Sequence, residues 1–362
     1  MNKWCFLIFV VSTLIFSCYS SAAQSLVSSD VCGELLPAQT STLPLPKSVT
    51  GRVGFFADYY KKGESSPSQS IAYGTVNTFF PTISMYKSLV VFDALQKVDQ
   101  KRLALNQKFV TTLQNQSIEK FPSGSNSLSY LLQRAIQRSD NTASDIVHLA
   151  VGPKALAYSV KSSSPCTNVL ITNKAWWGTQ GGLFPQVIGK DLAKGSKNYY
   201  DLPFEARVET AGKLVAASMK VTGQQVELSL DRYFYGPNYT AKIEFWLQNI
   251  TTPQAYTRLF YGLFANSTLS PKSQTIFRDL MKLGCCYQIG GPLPVTYRAA
   301  KIGSGWRMLT LSGYTELKNG DKLVYTYMND QSDTKDSNAM DKQIRVVNQW
   351  IDLNLAKIAG IK

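Results

Sequence analysis

Strand signals near both ends of the chain, with helical patterns between them, predict an α+β fold whose antiparallel sheet is assembled from the two termini. Arg52-Val53-Gly54-Phe55-Phe56-Ala57 reads as a first strand and Ile71-Ala72-Tyr73 as a second. Towards the other end, Met308–Leu311 and Leu323–Met328 read as strands, the latter entered through Lys318-Asn319-Gly320-Asp321, whose Asn-Gly pair is a strong hairpin signal. Ile344, Val347, Ile351 and Leu355 then recur at helical spacing in a terminal helix.

The elements between follow in order. Residues 24–50, rich in Ser, Thr and Pro, read as an extended lead-in. Phe80-Pro81 opens an almost continuously apolar run to Leu95, which reads as a buried helix beginning at the proline. Asn126 or Ser127 caps a helix through Leu128, Leu131, Leu132, Ala135 and Ile136. It stops at Ser139-Asp140-Asn141, and Thr142–Val151 forms the next, closed by Gly152-Pro153. From Cys166 to about Tyr239 the pattern changes, with a helix expected over Val208–Met219 and a strand over Val226–Leu230. Trp176-Trp177 suits core packing, or a platform on which a sugar or peptide stacks. Thr251-Thr252-Pro253 and Leu269-Ser270-Pro271 each open a further helix.

With 362 residues, 44% of them hydrophobic, the chain can bury one large or two modest cores. Its net charge of +14 is spread along the sequence, which suits solubility or an anionic cell envelope and offers no nucleic-acid-binding module. Met1-Asn2-Lys3, an apolar run from Cys5 to Phe16, and Ser21-Ala22-Ala23 read as an export signal over residues 1–23, with lipid attachment at Cys18 as the alternative. No other segment reads as membrane-spanning, and the mature protein is expected to be secreted or periplasmic and monomeric. Four cysteines follow the signal: Cys32, Cys166, Cys285 and Cys286. Adjacent cysteines seldom pair, so Cys32 or Cys166 is expected to bond to Cys285 or Cys286. His148 is the only histidine, so a multi-histidine metal site is excluded and a Ser-His-Asp triad could rest on that residue alone. General bases must come from Lys, Glu, Asp or Tyr.

Ser84 and Lys87 lie three residues apart on one face of the apolar helix. A serine hydroxyl needs a base to take its proton, and an ammonium in a desolvated helix can be driven towards the neutral amine that serves. The same S-x-x-K form recurs at Ser117–Lys120 and Ser332–Lys335, outside any such helix. Ser139-Asp140-Asn141, in a tight turn between helices, can aim a hydroxyl and an amide into a cleft, or merely cap a helix.

The order Ser84/Lys87, Ser139-Asp140-Asn141 and Lys301-Ile302-Gly303 resembles the S-x-x-K, S-D-N and K-[ST]-G set of the penicillin-recognising serine hydrolases, most closely the class A β-lactamases. Phe80-Pro81, Thr251-Thr252-Pro253, Leu269-Ser270-Pro271 and Gly291-Pro292-Leu293 agree with it, over roughly residues 50–165 and 240–358. The resemblance implies a β-lactamase/transpeptidase-like catalytic domain over 51–362 with an all-helical subdomain, interrupted by an insertion at about 166–240. It also implies an acyl-enzyme on Ser84 with a β-lactam or D-alanyl peptide, and no metal or organic cofactor. Lys87 would act as base or proton relay and Ser139 would pass a proton to the leaving nitrogen. The N–H groups of Ser84 and Ser304 would form the oxyanion hole. Lys301 and Ser304 would attract a substrate carboxylate, Gly303 would line the site, and Asn141 would hold an amide carbonyl.

Two departures stand out. Ile302 occupies a position where a hydroxyl is usual, removing a hydrogen bond worth about 1 to 2 kcal/mol. Lys242–Gln248 stands in for the R-x-E-x-x-L-N loop, making Glu244 the candidate that activates the deacylating water. Rival readings are a D-alanyl-D-alanine carboxypeptidase or transpeptidase, and a non-catalytic envelope-binding protein on the same fold.

Overall fold

The computed structural model describes residues 30–119, 121–237, 239–282, 284 and 293–361. The export signal, Cys18, Cys285 and Cys286 lie outside them. A six-stranded sheet is built from both chain ends in the order β1 (Gln39–Thr40), β3 (Gln69–Gly74), β2 (Arg52–Tyr60), β11 (Lys322–Asp330), β10 (Met308–Leu317) and β9 (Val295–Gly305). All pairings but β1–β3 are antiparallel. The β10–β11 turn forms at the expected Asn-Gly, with Gly320 at φ 89°, a conformation that glycine adopts without steric cost.

Period-two alternation decides which face each strand residue serves. In β11, Leu323, Tyr325 and Tyr327 pack with Val347, Trp350, Ile351 and Leu355 of the terminal helix α14 (Ile344–Ile358). Val324 and Met328 face the opposite way, into a second core holding α1 (Lys87–Asp99), α2 (Leu128–Gln137), α3 (Asn141–Val151), α11 (Pro253–Ala265) and α12 (Pro271–Lys282). Both faces of the sheet are therefore covered, and α1 lies within the second core. Ser127 caps α2 by accepting from the Tyr130 N–H. A short ribbon of β5 (Lys108–Val110) and β6 (Ser125–Ser127) precedes that helix.

After α4 (Pro153–Ser163), the stretch without motifs forms helices: α5 (Asn173–Gln180), α6 (Pro185–Ile188), α7 (Leu192–Asp201), α8 (Phe204–Ser218), α9 (Gly223–Phe234) and α10 (Ala241–Leu247). They have a core of their own around Trp176, Phe184, Val208, Leu214, Tyr233 and Leu247. Trp176 is buried there, as its packing role requires. The strand expected at Val226–Leu230 is part of α9, so that expectation is corrected. Thr222 and Gln225 make a reciprocal capping box at its start, and Leu228, which completes the strand-like alternation, is exposed.

Two further expectations change. Phe80-Pro81 forms a strand, β4, paired with β8 (Ile250–Thr251), which also pairs with β7 (Thr167–Asn168). The helical run therefore begins after Pro81. Cys32 bonds to Cys166, with Cα atoms 5.6 Å apart, so the expected bridge to Cys285 or Cys286 is replaced by one that ties the lead-in to the segment after α4. Among the described residues no helix is long and apolar enough to cross a membrane.

Candidate active site

Between β4 and α1 the chain makes a 3-10 turn, Ile83–Tyr86, that begins with Ile83 at φ 46°. A β-branched residue resists this left-handed conformation, so its surroundings must hold it. The flanking Thr82 donates its N–H to the Asn249 carbonyl at 2.8 Å, and its own carbonyl accepts from Thr310 Oγ1 at 3.1 Å. Tyr256 donates its hydroxyl to the Met85 carbonyl at 2.7 Å, fixing the turn from behind. Ser84 is consequently presented, half-buried, one 3-10 turn before Lys87, where residues three apart eclipse.

Lys87 opens α1 and is fully buried. Its Nζ donates to the Ser139 carbonyl at 2.5 Å, to Asn141 Oδ1 at 2.6 Å and to Ser139 Oγ at 3.3 Å. Desolvation pulls its pKa down to about 8, against the charges of Asp145, Asp140 and Glu119. A substantial neutral fraction is therefore present near pH 8.

Ser139 occupies the α2–α3 turn at φ 51°, and Asp140 caps α3 by accepting from the Ala143 N–H. Lys301 on β9 reaches Ser139 Oγ at 2.9 Å and its neighbour's carbonyl, that of Ile302, at 2.6 Å. Burial, then the nearby Lys87 charge, push the Lys301 pKa well below its usual range. With two amines donating to its oxygen, the Ser139 hydroxyl keeps its proton free to give. Three motifs distant in sequence thus meet at one hydroxyl.

Gly303 shows how closely β9 approaches the turn. A methyl group there would stand 2.6 Å from the Ser84 nitrogen and 2.8 Å from Thr310 Oγ1, so any larger residue would force the strand away. Ser304 follows on the same strand and lines the cleft, while Ile302 is buried beneath the sheet with Leu309, Leu311 and Val347. At position 302, therefore, no hydroxyl faces substrate.

Glu244 lies on α10, not in a loop, and is 2% exposed. Its Oε1 accepts from Gln180 at 3.0 Å and its Oε2 from the Tyr239 hydroxyl at 3.1 Å. Burial raises its pKa to about 8, only partly opposed by those two bonds and the Arg307 charge. It lines the same cleft as Ser304, but among the described residues no hydrogen bond joins it to Lys87. His148 is buried against Tyr86 with neither ring nitrogen hydrogen-bonded, and burial lowers its pKa to about 3. It remains neutral and offers no triad.

Sequence reasoning missed two carboxylates here. Asp145, one turn beyond Asn141, accepts from the N–H groups of Asn173 and Lys174 and anchors α5 to α3; burial raises its pKa to about 6. Its helical spacing from Asn141 was the available signal. Glu119 accepts from Asn141 Nδ2 at 3.0 Å, so it holds the amide that would meet a substrate carbonyl. It belongs to one of the isolated S-x-x-K matches, and nothing in the local sequence marks it.

With this geometry in view, residues 46–175 match the sequence profile described as the β-lactamase enzyme family, a span that holds Ser84, Lys87, Ser139 and Asn141. Solved structures agree in fold. A β-lactamase from Xanthomonas campestris is 17% identical with a TM-score of 0.55, covering 85% of this chain and 93% of that one. An ancestral class A β-lactamase is 18% identical with a TM-score of 0.53, covering 84% and 94%. Residues 46–175 thus resemble the β-lactamase enzyme family, and the chain as a whole has the fold of these β-lactamases. A mutant of the chromosome-encoded β-lactamase of Vibrio parahaemolyticus, 16% identical with a TM-score of 0.54, covers 85% of this chain and 96% of its own. No curated protein sequence matches.

Proposed function

We propose that this protein is an exported active-site serine hydrolase that opens β-lactam amide bonds through an acyl-enzyme on Ser84. The observation that carries this reading is the Lys87–Ser139–Lys301 contact set beside the Ser84 turn. Lys87, neutral in part near its lowered pKa, takes the Ser84 proton as Oγ attacks the carbonyl carbon. The N–H groups of Ser84 and Ser304 receive the charge that develops on oxygen. The C–N bond then breaks as Ser139 passes its proton to the leaving nitrogen, and Lys87 returns a proton to Ser139. Water, activated by Glu244 once that carboxyl is ionised, releases the acyl group. Lys301 and the Ser304 hydroxyl attract a substrate carboxylate, and Asn141 holds the amide carbonyl in exchange for Glu119.

A D-alanyl peptidase or transpeptidase is the second reading. It is favoured by the lack of a Lys87–Glu244 bond and by the protonated state of Glu244 below about pH 8, both of which would leave the acyl-enzyme long-lived.

Intact-mass spectrometry of the protein mixed with a penicillin, followed over time at pH 7 and pH 9, separates these readings. An adduct that forms and decays, faster at pH 9, is the expected result. A persistent adduct at both pH values supports the peptidase. Absence of any adduct overturns both in favour of a non-catalytic binding role.

A further inference from the structure

The cleft that holds Ser304 and Gly305 encloses about 280 Å³, and its far wall comes from the inserted helices. Its charge opposes that of the molecule. The chain carries a net charge of +14, yet the described residues lining this cleft include the carboxyls of Glu119, Glu227, Asp231, Glu244 and Asp336 and neither a lysine nor an arginine. The nearest cations are engaged elsewhere. Lys87 and Lys301 bond to Ser139, Asn141 and the Ile302 carbonyl, and Arg307 donates to the Ser332 and Gln331 carbonyls.

Three of these carboxyls lie near one another. Glu227 and Asp231 stand one turn apart on the cleft face of α9, a like-charge spacing that weakens a helix. Glu227 Oε1 accepts the Glu119 N–H at 2.6 Å, and the Glu119 carboxyl, bonded to Asn141 Nδ2 at 3.0 Å, feels the Glu227 charge. Partial desolvation, and then the charges of Glu227, Asp140 and Asp341, raise the Glu119 pKa against the pull of Lys87. Aromatic faces border the same acids. Phe234 stacks on Trp306 with centroids 4.6 Å apart, and Tyr235 meets Trp306 edge-on at 5.3 Å. Electron-rich ring faces next to carboxylates, with no lysine or arginine among the lining residues, form surroundings in which an organic cation binds.

The geometry points to a substrate whose acyl arm carries a positive charge: an amide or β-lactam bearing an ammonium or guanidinium group, seated between Glu119, Glu227 and Asp231 against the Phe234–Trp306 stack. This deepens the proposed function and rests on it for the position of the reacting carbonyl. Ile302, whose side chain lies beneath the sheet, leaves the opposite, carboxylate-binding end with one donor fewer, so discrimination shifts to the cationic arm.

Three penicillins that share the ring system and differ only in the side chain test it: α-aminobenzyl, benzyl and α-carboxybenzyl. At pH 7, Ser84 acylation read by intact mass should be fastest for the amine and slowest for the carboxylate, separated by about tenfold, the worth of one partly desolvated cation contact. The Glu227→Gln/Asp231→Asn double variant should lose most of that spread while still acylating with the benzyl compound. Calorimetric binding of the same three compounds to the Ser84→Ala protein reads the preference without chemistry. Equal behaviour of all three in both assays, a preference for the carboxylate, or a spread unchanged in the double variant would overturn the inference. An ammonium preference in binding without acylation of the wild type would contradict the serine mechanism and leave the charge preference standing.

Discussion

The two walls of the cleft are built on opposite principles. On the wall of α1, α3 and β9, the two amines of the proposed chemistry are tied to its other side chains: Lys87 to Ser139 and Asn141, Lys301 to Ser139. Its cations are buried, and desolvation tunes them towards neutrality. On the wall of α9 and α10, Glu227 and Asp231 stand exposed near aromatic rings, Glu227 tied to the Glu119 N–H, while Glu244 is buried and bonded. The difference separates reaction from recognition. A preorganised, dehydrated set of groups suits proton transfer, whereas a wet, charged, aromatic rim suits selection of the substrate arm.

Breaking the first wall should have the largest effect. Lys87→Arg keeps the charge but removes a proton acceptor, since a guanidinium does not deprotonate in this range. Acylation should fall by about a hundredfold or more. Wild-type acylation should rise with pH through about 8, because the neutral amine is the active form and its fraction grows above the lowered pKa. In the variant that rise should vanish. Stopped-flow acylation profiles check both.

Gly303→Ala tests the same wall through geometry. Its methyl group would press on the Ser84 nitrogen, displacing one proposed oxyanion donor, so acylation should drop by about a hundredfold. Stability should change much less, which denaturant titration checks.

Removing the bridge at the base of the second wall acts on stability and not on chemistry. The Cys32–Cys166 bond closes a separation of 134 residues, and Cys32→Ser with Cys166→Ser should cost about 2 to 5 kcal/mol in unfolding free energy. The folded fraction should still acylate at the wild-type rate.

Glu244→Gln should have the smallest effect at neutral pH. Below about pH 8 most of the wild-type carboxyl is protonated and only a small fraction serves as base, so deacylation at pH 7 should change by less than about threefold. At pH 9 the ionised wild type should pull ahead by about tenfold or more. Equal deacylation at both pH values would remove Glu244 from the mechanism and favour the peptidase reading.

The contrast between the walls also explains what could be read from the sequence. The sheet, the buried helix and the three motifs were legible because each depends on local periodicity or on a short chemical spacing. Leu323–Met328 alternates towards two cores, and Ser84 and Lys87 share a turn. The inserted helices were harder. Val226, Leu228 and Leu230 alternate as in a strand, but the buried positions are Val226, Ser229, Leu230 and Tyr233, which follow the helical period. Pro81 signals a helix start by composition, while its pairing with Ile250 is a long-range contact that no local pattern announces. Glu119 reaches Asn141 from a loop, and Cys32 reaches Cys166 across the first half of the chain, so both depend on the completed fold.

The most direct test of the central claim is to locate the acyl group. The protein is quenched in acid seconds after mixing with a penicillin, digested, and its adduct mapped by tandem mass spectrometry. The account predicts a single modified peptide carrying the group on Ser84, absent from Ser84→Ala. An adduct on any other residue, or on none when saturating β-lactam is present, would contradict it.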